Sequence, residues 1–248
     1  MKQSGNNLLL VEGQDDLHVV SALLKQHNLT DLRDSNDRSI APLKLKFSRE
    51  EEPKNLDIEH VGGIVGVLEK FPSLIISGTY KFDAIGIIID FDPPNIEQNN
   101  NRDVAVRDII SDLNNYNRWN ISQDFSILDP FGFIAEPCCA TLENIPRIGV
   151  WFMPNNHDRG MLETFLEHLI PEPRQELFGF AREVTDNAKN YGAPYRDCDR
   201  SKAVIHTFLS WMDKPGKPFG TSFDNQSFDA NAELARTFIG WIERLFLS

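Results

Sequence analysis

Residues 7–16 read NLLLVEGQDD, and this stretch decides the fold. The four consecutive aliphatic side chains at 8–11 are typical of a strand that is covered on both faces. The strand ends directly in an acid, Glu12, and apolar side chains then recur at helical spacing over residues 17–24. We expect one of the two aspartates that close the stretch to be the N-cap of this helix. The stretch therefore predicts a buried strand, a carboxylate at its end and a helix.

Two further apolar runs also lead into acids. Residues 82–89 predict a buried strand, and it ends in Asp90-Phe91-Asp92, whose two carboxylates point to the same side if the segment is extended. Residues 147–154 predict another strand, followed by a helix over 160–169 with Glu163 in its first turn. In an open α/β sheet, ligands bind in the crevice at the carboxyl ends of the strands. The acids are therefore expected at one edge of the sheet.

Strands alternate with helices along most of the chain, which predicts an α/β fold with a mostly parallel sheet flanked by helices. Residues 57–63 are predicted to form a turn. Beyond Pro171 the pattern predicts only helices, so we expect an α/β core over residues 6–170 and an α-helical C-terminal extension, residues 171–248, packed on it. The other predicted elements are a strand at 43–47, helices at 64–70 and 102–113, a loop at 93–101, and helices at 174–190, 201–212 and 231–247.

Composition predicts a cytoplasmic protein with no membrane partner. Apolar residues make up 41% of the chain and charged residues 25%, as in ordinary globular proteins. The first apolar run is too short for a signal peptide, and no run approaches the length of a transmembrane helix. The three cysteines form no C-x-x-C pair and suggest no disulfide framework.

The net charge of −12 limits the choice of partners. A protein that binds nucleic acid unaided usually has a basic surface, so the charge argues against such binding by this chain alone. Two explanations stay open: part of the acidity is a metal site, or a protein partner supplies the basic surface.

The residue types at the strand ends point to a hard divalent cation. Carboxylates that converge on one spot repel each other unless a cation lies between them, and Mg²⁺ or Mn²⁺ prefers such oxygen ligands. Each acid also has a plain alternative explanation. One of Asp90 and Asp92 could cap a turn, Glu12 could be a turn acid near the positive end of a helix, and Glu163 could complete a capping box. From spacing alone these alternatives stay open.

Lys202 is the candidate basic residue. The pattern puts it in the first turn of a helix that we expect Ser201 to cap, where the helix dipole disfavours a cation. It is interpreted either as a phosphate-binding or charge-stabilising group or as a plain surface lysine. His157 and His206 have no histidine or cysteine at zinc-ligand spacing, so no zinc site is predicted.

Taken together, these residues resemble the Toprim family. Its first motif, an apolar strand ending in Glu-Gly with an acid soon after, is similar to residues 11–16, and its second, a strand ending in Asp-x-Asp, is similar to residues 90–92. The segment 154–163 resembles that of a bacterial Toprim-like group similar to the nuclease domains of the overcoming-lysogenization-defect family. The resemblance implies one or two Mg²⁺ or Mn²⁺ ions held by Glu12, Asp16, Asp90, Asp92 and Glu163. It also implies catalytic roles for Glu12 and Asp90, with Lys202 as the counterpart of a downstream basic residue.

The chain departs from these relatives in ways that limit the functions to consider. It has no G-x-x-x-x-G-K-[ST] motif, so the ATPase activity of the overcoming-lysogenization-defect nucleases is not expected, and no topoisomerase tyrosine can be assigned. Three hypotheses remain: a metal-dependent nuclease, a Toprim-like binding or regulatory subunit that depends on a partner, and a nucleotide-sugar transferase whose Asp-x-Asp holds a diphosphate-bound metal. A phosphatase of the haloacid dehalogenase type is disfavoured because Pro94 stands where that motif has threonine or valine.

Overall fold

The computed structural model describes residues 6–32, 43–47, 54–76, 81–91, 111, 113, 118–120, 130–138 and 145–248. The predicted metal ligand Asp92 and the loop predicted at 93–101 lie outside these ranges. The helix predicted at 102–113 lies almost entirely outside them.

The described elements alternate between strands and helices up to Met153 and are helical afterwards. The strands are β1 (Asn6–Val11), β2 (Thr30–Leu32), β3 (Leu43–Phe47), β4 (Asn55–His60), β5 (Ala84–Asp90), β6 (Trp119–Asn120), β7 (Phe133–Pro137) and β8 (Arg147–Met153). The helices are α1 (Gln14–Gln26), α2 (Ile64–Ile76), α3 (Leu162–Glu167), α4 (Gln175–Ala188), α5 (Arg200–Ser210) and α6 (Glu233–Phe246). Short 3₁₀ turns join the C-terminal helices.

The strands form one mixed sheet in the order β2-β3-β4-β1-β5-β8-β7-β6. The four central strands, β4, β1, β5 and β8, are parallel to one another. Antiparallel pairs extend the sheet at both edges. The predicted α/β fold with a mostly parallel sheet and a helical C-terminal region is therefore confirmed.

The central strands are buried on both faces, as their continuous apolar sequence predicts. Alternate side chains of β1 and β5 belong to two separate hydrophobic clusters. One cluster joins Leu9 and Ile88 to α1 and to the C-terminal helices, and the other joins Leu10 and Ile87 to α2. The sheet is thus a middle layer with helices on both faces.

Two glycines side by side in the sheet let the last helix approach closely. Gly86 of β5 and Gly149 of β8 are cross-strand partners, and both lie beneath α6. A Cβ atom on Gly149 would lie 2.5 Å from Leu245 Cδ2, and one on Gly86 would lie 3.1 Å from the same atom. The absence of side chains at these two positions therefore makes room for Leu245 against the sheet.

Several local predictions were wrong. The turn predicted at 57–63 overlaps β4, whose alternate side chains Leu56 and Ile58 are buried against the core. Neither Asp15 nor Asp16 is the N-cap of α1. The N-cap is Gly13, the helix begins at Gln14, and both aspartates lie in its first turn. Helix α2 runs to Ile76, six residues beyond its predicted end.

The C-terminal region consists of helices and irregular segments, as predicted. Helices α4, α5 and α6 lie within the three ranges predicted from periodicity, except that α5 begins one residue early. Residues from α6 and from the sheet belong to one hydrophobic cluster. None of the helices in the described ranges is long and apolar enough to cross a membrane.

Candidate metal centre

The carboxyl ends of β1, β5 and β8 bring the predicted site residues to one edge of the sheet. A β-bridge between Phe91 and Gly160 ties the end of β5 to the segment that leads into α3. In this bridge the Gly160 N–H donates to the Phe91 carbonyl at 2.8 Å. Asp90 and Glu163 flank the bridge, so this connection sets them near each other although they are distant in sequence.

The side chain of Glu12 contacts the backbone of Asp90. The Asp90 N–H donates to Glu12 Oε1 at 2.8 Å. The Asp90 carboxylate in turn accepts a hydrogen bond from the Leu162 N–H at 3.2 Å, which orients it towards the start of α3. The two motif acids and the third segment of the predicted site therefore form a connected chain of hydrogen bonds.

Glu163 and Lys202 form an ion pair at this edge, with Nζ 3.3 Å from Oε1. Helix α5 brings Lys202 here because it packs on α3, where the Thr164 hydroxyl donates to the Ser201 hydroxyl at 3.4 Å. Partial burial alone would lower the pKa of Lys202. The charge of Glu163 and its hydrogen bond, with the charge of Asp90, outweigh burial and raise that pKa above its usual value. Lys202 is therefore a protonated cation at neutral pH.

Asp16 is a buried carboxyl group of the site whose pKa is raised. Burial is the largest cause, and together with the negative charge of Glu12 it raises the pKa of Asp16 to about 7. The Gly13 N–H donates to Asp16 Oδ2 at 3.1 Å, which lowers that pKa in part, while the charge of Glu163 raises it further. Asp16 therefore lies close enough to both glutamates to be affected by their charges.

One capping prediction at the site was wrong, and the capping alternative that was left open for Glu163 is excluded. In α3 the residue that accepts the N-cap Met161 N–H is Thr164, at 3.3 Å, so Glu163 does not complete a capping box. The N-cap of α5 is Asp199 rather than Ser201, so Lys202 is the third residue of that helix. The capping explanation for Glu163 therefore fails, and its contact with Lys202 stands in its place.

The carboxylates of the site are of the residue type that binds a divalent cation. Glu12, Asp16 and Glu163 are each at most 7% exposed, and Lys202 is the cation paired with Glu163. Buried carboxylates brought together in this way suit Mg²⁺ or Mn²⁺, which prefer carboxylate oxygens. Within the described ranges, however, no group of three or more Asp, Glu, His or Cys side chains is arranged to hold a metal ion. The residue types of the site therefore suit a metal ion. The described contacts of their side chains, however, are with backbone N–H groups and with Lys202.

Asn156 supports the site from the loop that follows β8. It is buried in a left-handed conformation with φ of 62°. Its Oδ1 accepts the Phe152 N–H at 2.7 Å, and its Nδ2 donates to the Pro130 carbonyl at 3.3 Å. Asn156 thereby holds the loop between β8 and α3. An Asn after a strand is a weak signal for this role, since asparagine also tolerates positive φ in ordinary turns.

The similarity to known proteins extends over nearly the whole chain. A family model described as a protein of unknown function (DUF3226) matches residues 6–247. No curated protein matches the chain. Among solved structures, the chain is similar to the crystal structure of hypothetical protein PH0156 from Pyrococcus horikoshii OT3. The sequence identity is 14% and the TM-score 0.41, over 97% of this chain and 95% of that chain.

Proposed function

The chain belongs to the DUF3226 family of proteins of unknown function, and we propose that it is a metal-dependent, phosphodiester-cleaving protein of the nuclease type. One observation carries the proposal. Glu12, Asp16, Asp90, Glu163 and Lys202 come from four separate segments and meet at the carboxyl ends of the central parallel strands. This edge is the ligand-binding edge of α/β sheets. The resemblance of the same residues to the Toprim motifs supports the proposal independently.

The metal ligands in this proposal are Glu12, Asp16, Asp90, Asp92 and Glu163, which would hold one or two Mg²⁺ or Mn²⁺ ions. When bound, such ions activate water and polarise a phosphoryl oxygen. Lys202 offsets negative charge that develops on the phosphoryl group, because its pKa keeps it cationic. Glu12 holds the backbone of Asp90, and the Leu162 N–H orients the Asp90 carboxylate, so both acids are positioned before any ligand arrives. A cytoplasmic location is part of the proposal and depends on composition alone.

The test compares isosteric variants in a cleavage assay. Wild-type protein is expected to hydrolyse single- or double-stranded DNA or RNA only with Mg²⁺ or Mn²⁺, and Glu12→Gln and Asp90→Asn are expected to lose at least about 100-fold of that activity, within the range that a single lost electrostatic group costs. Glu136→Gln, an exposed acid on β7, is the matched control and should cleave like the wild type. Cleavage by Glu12→Gln at the wild-type rate would show that the assignment is wrong.

A second candidate is a binding or regulatory subunit that is not catalytic alone. The net charge of −12 and the absence of a ready-made metal cage within the described ranges favour it. Titration calorimetry with Mn²⁺ distinguishes the two. This candidate predicts binding that Asp90→Asn weakens, no turnover by the isolated chain, and activity only after a partner protein is added.

A nucleotide-sugar transferase is less well supported. In that reading Glu12 has no role in holding the metal, so Glu12→Gln should leave Mn²⁺ affinity unchanged. The hydrogen bond between Glu12 and the Asp90 N–H argues instead that Glu12 belongs to the site.

A further inference from the structure

Helix α4 carries an exposed apolar stripe that includes no residue of the carboxylate cluster, which consists of Glu12, Asp16, Asp90 and Glu163. Leu177, Phe180 and Val184 are spaced by three and four residues, so they lie on one face of the helix. Trp211, at the end of α5, extends the stripe, since its ring centroid lies 5.6 Å from that of Phe180. These four side chains, here named the α4 face, are between 37% and 54% exposed.

The α4 face is not needed to attach α4 to the protein. The helix already packs through its other side, where Phe178, Ala181 and Thr185 are buried. The Phe178 ring meets Phe208 of α5 edge to face, with centroids 5.4 Å apart. Single exposed apolar side chains are common, but a contiguous group that includes two aromatic rings in contact is typical of an interaction site.

The charges beside the α4 face identify what it would bind. Glu176 and Glu183 are seven residues apart, so they lie along the same border of the stripe, and Asp213 follows Trp211. All three are exposed, and none of them has an ion-pair partner within the described part of the chain. Lys214, next to Asp213, is an exposed cation at the same end of the face as Glu176, because Met212 Sδ lies 3.3 Å from Arg174 Nη1.

The neighbouring arginines form no ion pairs with these acids. Arg182 pairs with Glu167 at 2.8 Å and Arg200 pairs with Asp186 at 2.7 Å, while the charged guanidinium of Arg174 donates to the Gln226 carbonyl at 3.1 Å. The border of the stripe formed by Glu176 and Glu183 is therefore acidic.

We propose that the α4 face docks an amphipathic helix of a partner protein, whose apolar side chains cover the stripe and whose lysines or arginines face Glu176 and Glu183. Apolar anchors spaced by three and four residues are how one helix recognises another, and charged pairs that flank the seam select the partner. Phe180 and Trp211 would be the central anchors. This proposal does not depend on the proposed nuclease function, and such a partner would bring basic residues to a chain of net charge −12.

Two other occupants fit the charges less well. In a symmetric dimer with antiparallel α4 helices, the glutamates of one copy would lie against those of the other. A single-stranded nucleic acid could stack bases on Phe180 and Trp211, but Glu176 and Glu183 would repel its phosphates.

The test uses two designed peptides and the full-length protein. Both peptides are three-heptad amphipathic helices with leucine along the seam, and they differ only in having lysine or glutamate at the flanking positions. The lysine peptide is expected to bind the wild type, and Phe180→Glu is expected to weaken this binding at least about tenfold in calorimetry. Val65→Glu, at an exposed apolar position on α2, is the matched control and should bind like the wild type.

Charge reversal at the border makes the test specific. The double variant Glu176→Lys/Glu183→Lys is expected to prefer the glutamate peptide over the lysine peptide, reversing the wild-type preference. The proposal is overturned if the wild type does not bind the lysine peptide, if Phe180→Glu binds it equally well, or if the double variant keeps its preference. It is also overturned if sedimentation shows a dimer that Phe180→Glu dissociates, or if oligothymidylate binds in a Phe180-dependent manner. Far-UV circular dichroism checks that each variant is folded.

Discussion

Asp16 shows how the carboxylate cluster affects the protein when no metal is bound. The pKa of a folded-state Asp16 is about 7, against 3.8 for the ordinary group, because it is buried beside Glu12. The folded protein therefore keeps a proton that the unfolded chain releases between these two values. A raised carboxyl pKa contributes stability that is fully present below the unfolded value and is lost as the pH rises through the folded value. The metal-free protein should thus lose stability between about pH 4 and pH 7.

The prediction is that Asp16→Asn reduces this pH dependence. Asparagine can still accept the Gly13 N–H but carries no charge, so the free energy of unfolding should fall less steeply with pH than in the wild type. The difference in slope is at most about 1.4 kcal/mol per pH unit, the value for one proton. Urea denaturation in EDTA between pH 4.5 and pH 8 measures it, and Asp15→Asn, at the exposed neighbouring position, is the control. Equal slopes for the wild type and Asp16→Asn would contradict the prediction.

The residues of the cluster were predictable from sequence to different degrees. Glu12 and Asp90 were predictable because the carboxyl ends of adjacent parallel strands meet at one edge. The contact between Glu163 and Lys202 was not, since it depends on how α3 packs on α5. The hydrogen bonds from the Asp90 and Leu162 N–H groups were not predictable either, because every residue except proline has such a donor.

At the scale of elements, the pair Gly86 and Gly149 controls how closely α6 approaches the sheet. We predict that Gly149→Ala destabilises the protein by about 1–3 kcal/mol, since its Cβ would lie 2.5 Å from Leu245 Cδ2 in a packed core. Gly240→Ala in α6 is the matched control, because no described atom outside the helix's own backbone lies within 4 Å of the added Cβ. It should stabilise by about 0.5–1 kcal/mol through helix propensity. Thermal and urea denaturation measure both, and a Gly149→Ala protein as stable as the wild type would contradict the close approach.

The strands were predictable where burial makes the sequence continuous, as in β1, β5 and β8. Strand β4 was missed because only Leu56 and Ile58 face the core, and the acids between and after them made the segment resemble a turn. The role of Gly149 was also not predictable from the sequence. A glycine in an apolar run indicates a strand that contacts something closely, but the contacting helix lies far away in the sequence.

At the scale of the whole molecule, the acidity is concentrated in the α/β core. Residues 1–170 contain 15 basic and 26 acidic side chains, whereas residues 171–248 contain 10 and 11. A polyanion approaching the carboxylate cluster therefore meets repulsion from the core. A cation at the cluster and a basic partner on the α4 face would both reduce that repulsion, which is why the two proposals are compatible although neither requires the other.

The predicted boundary at residue 170 does not separate two hydrophobic cores. Leu9 of β1 and Trp151 of β8 belong to the same cluster as Phe238 and Trp241 of α6. The Trp241 ring is fully buried, and its Nε1–H donates to the Phe133 carbonyl at 3.2 Å. The helical extension therefore covers one face of the sheet and is expected to unfold together with it.

We predict that Trp241→Ala destabilises the sheet and the C-terminal helices together, by about 3–5 kcal/mol, as for other large-to-small changes in a packed core. Unfolding followed by tryptophan fluorescence and by far-UV circular dichroism should shift to the same lower urea midpoint. Hydrogen exchange of β1 and β5 should accelerate along with that of α6, because opening of the helix uncovers both strands. Trp211→Ala removes the same side chain from an exposed site and should leave the midpoint nearly unchanged. If β1 and β5 kept their protection while α6 exchanged freely, the extension would be an independent unit, and a cut at residue 170 would leave a folded core.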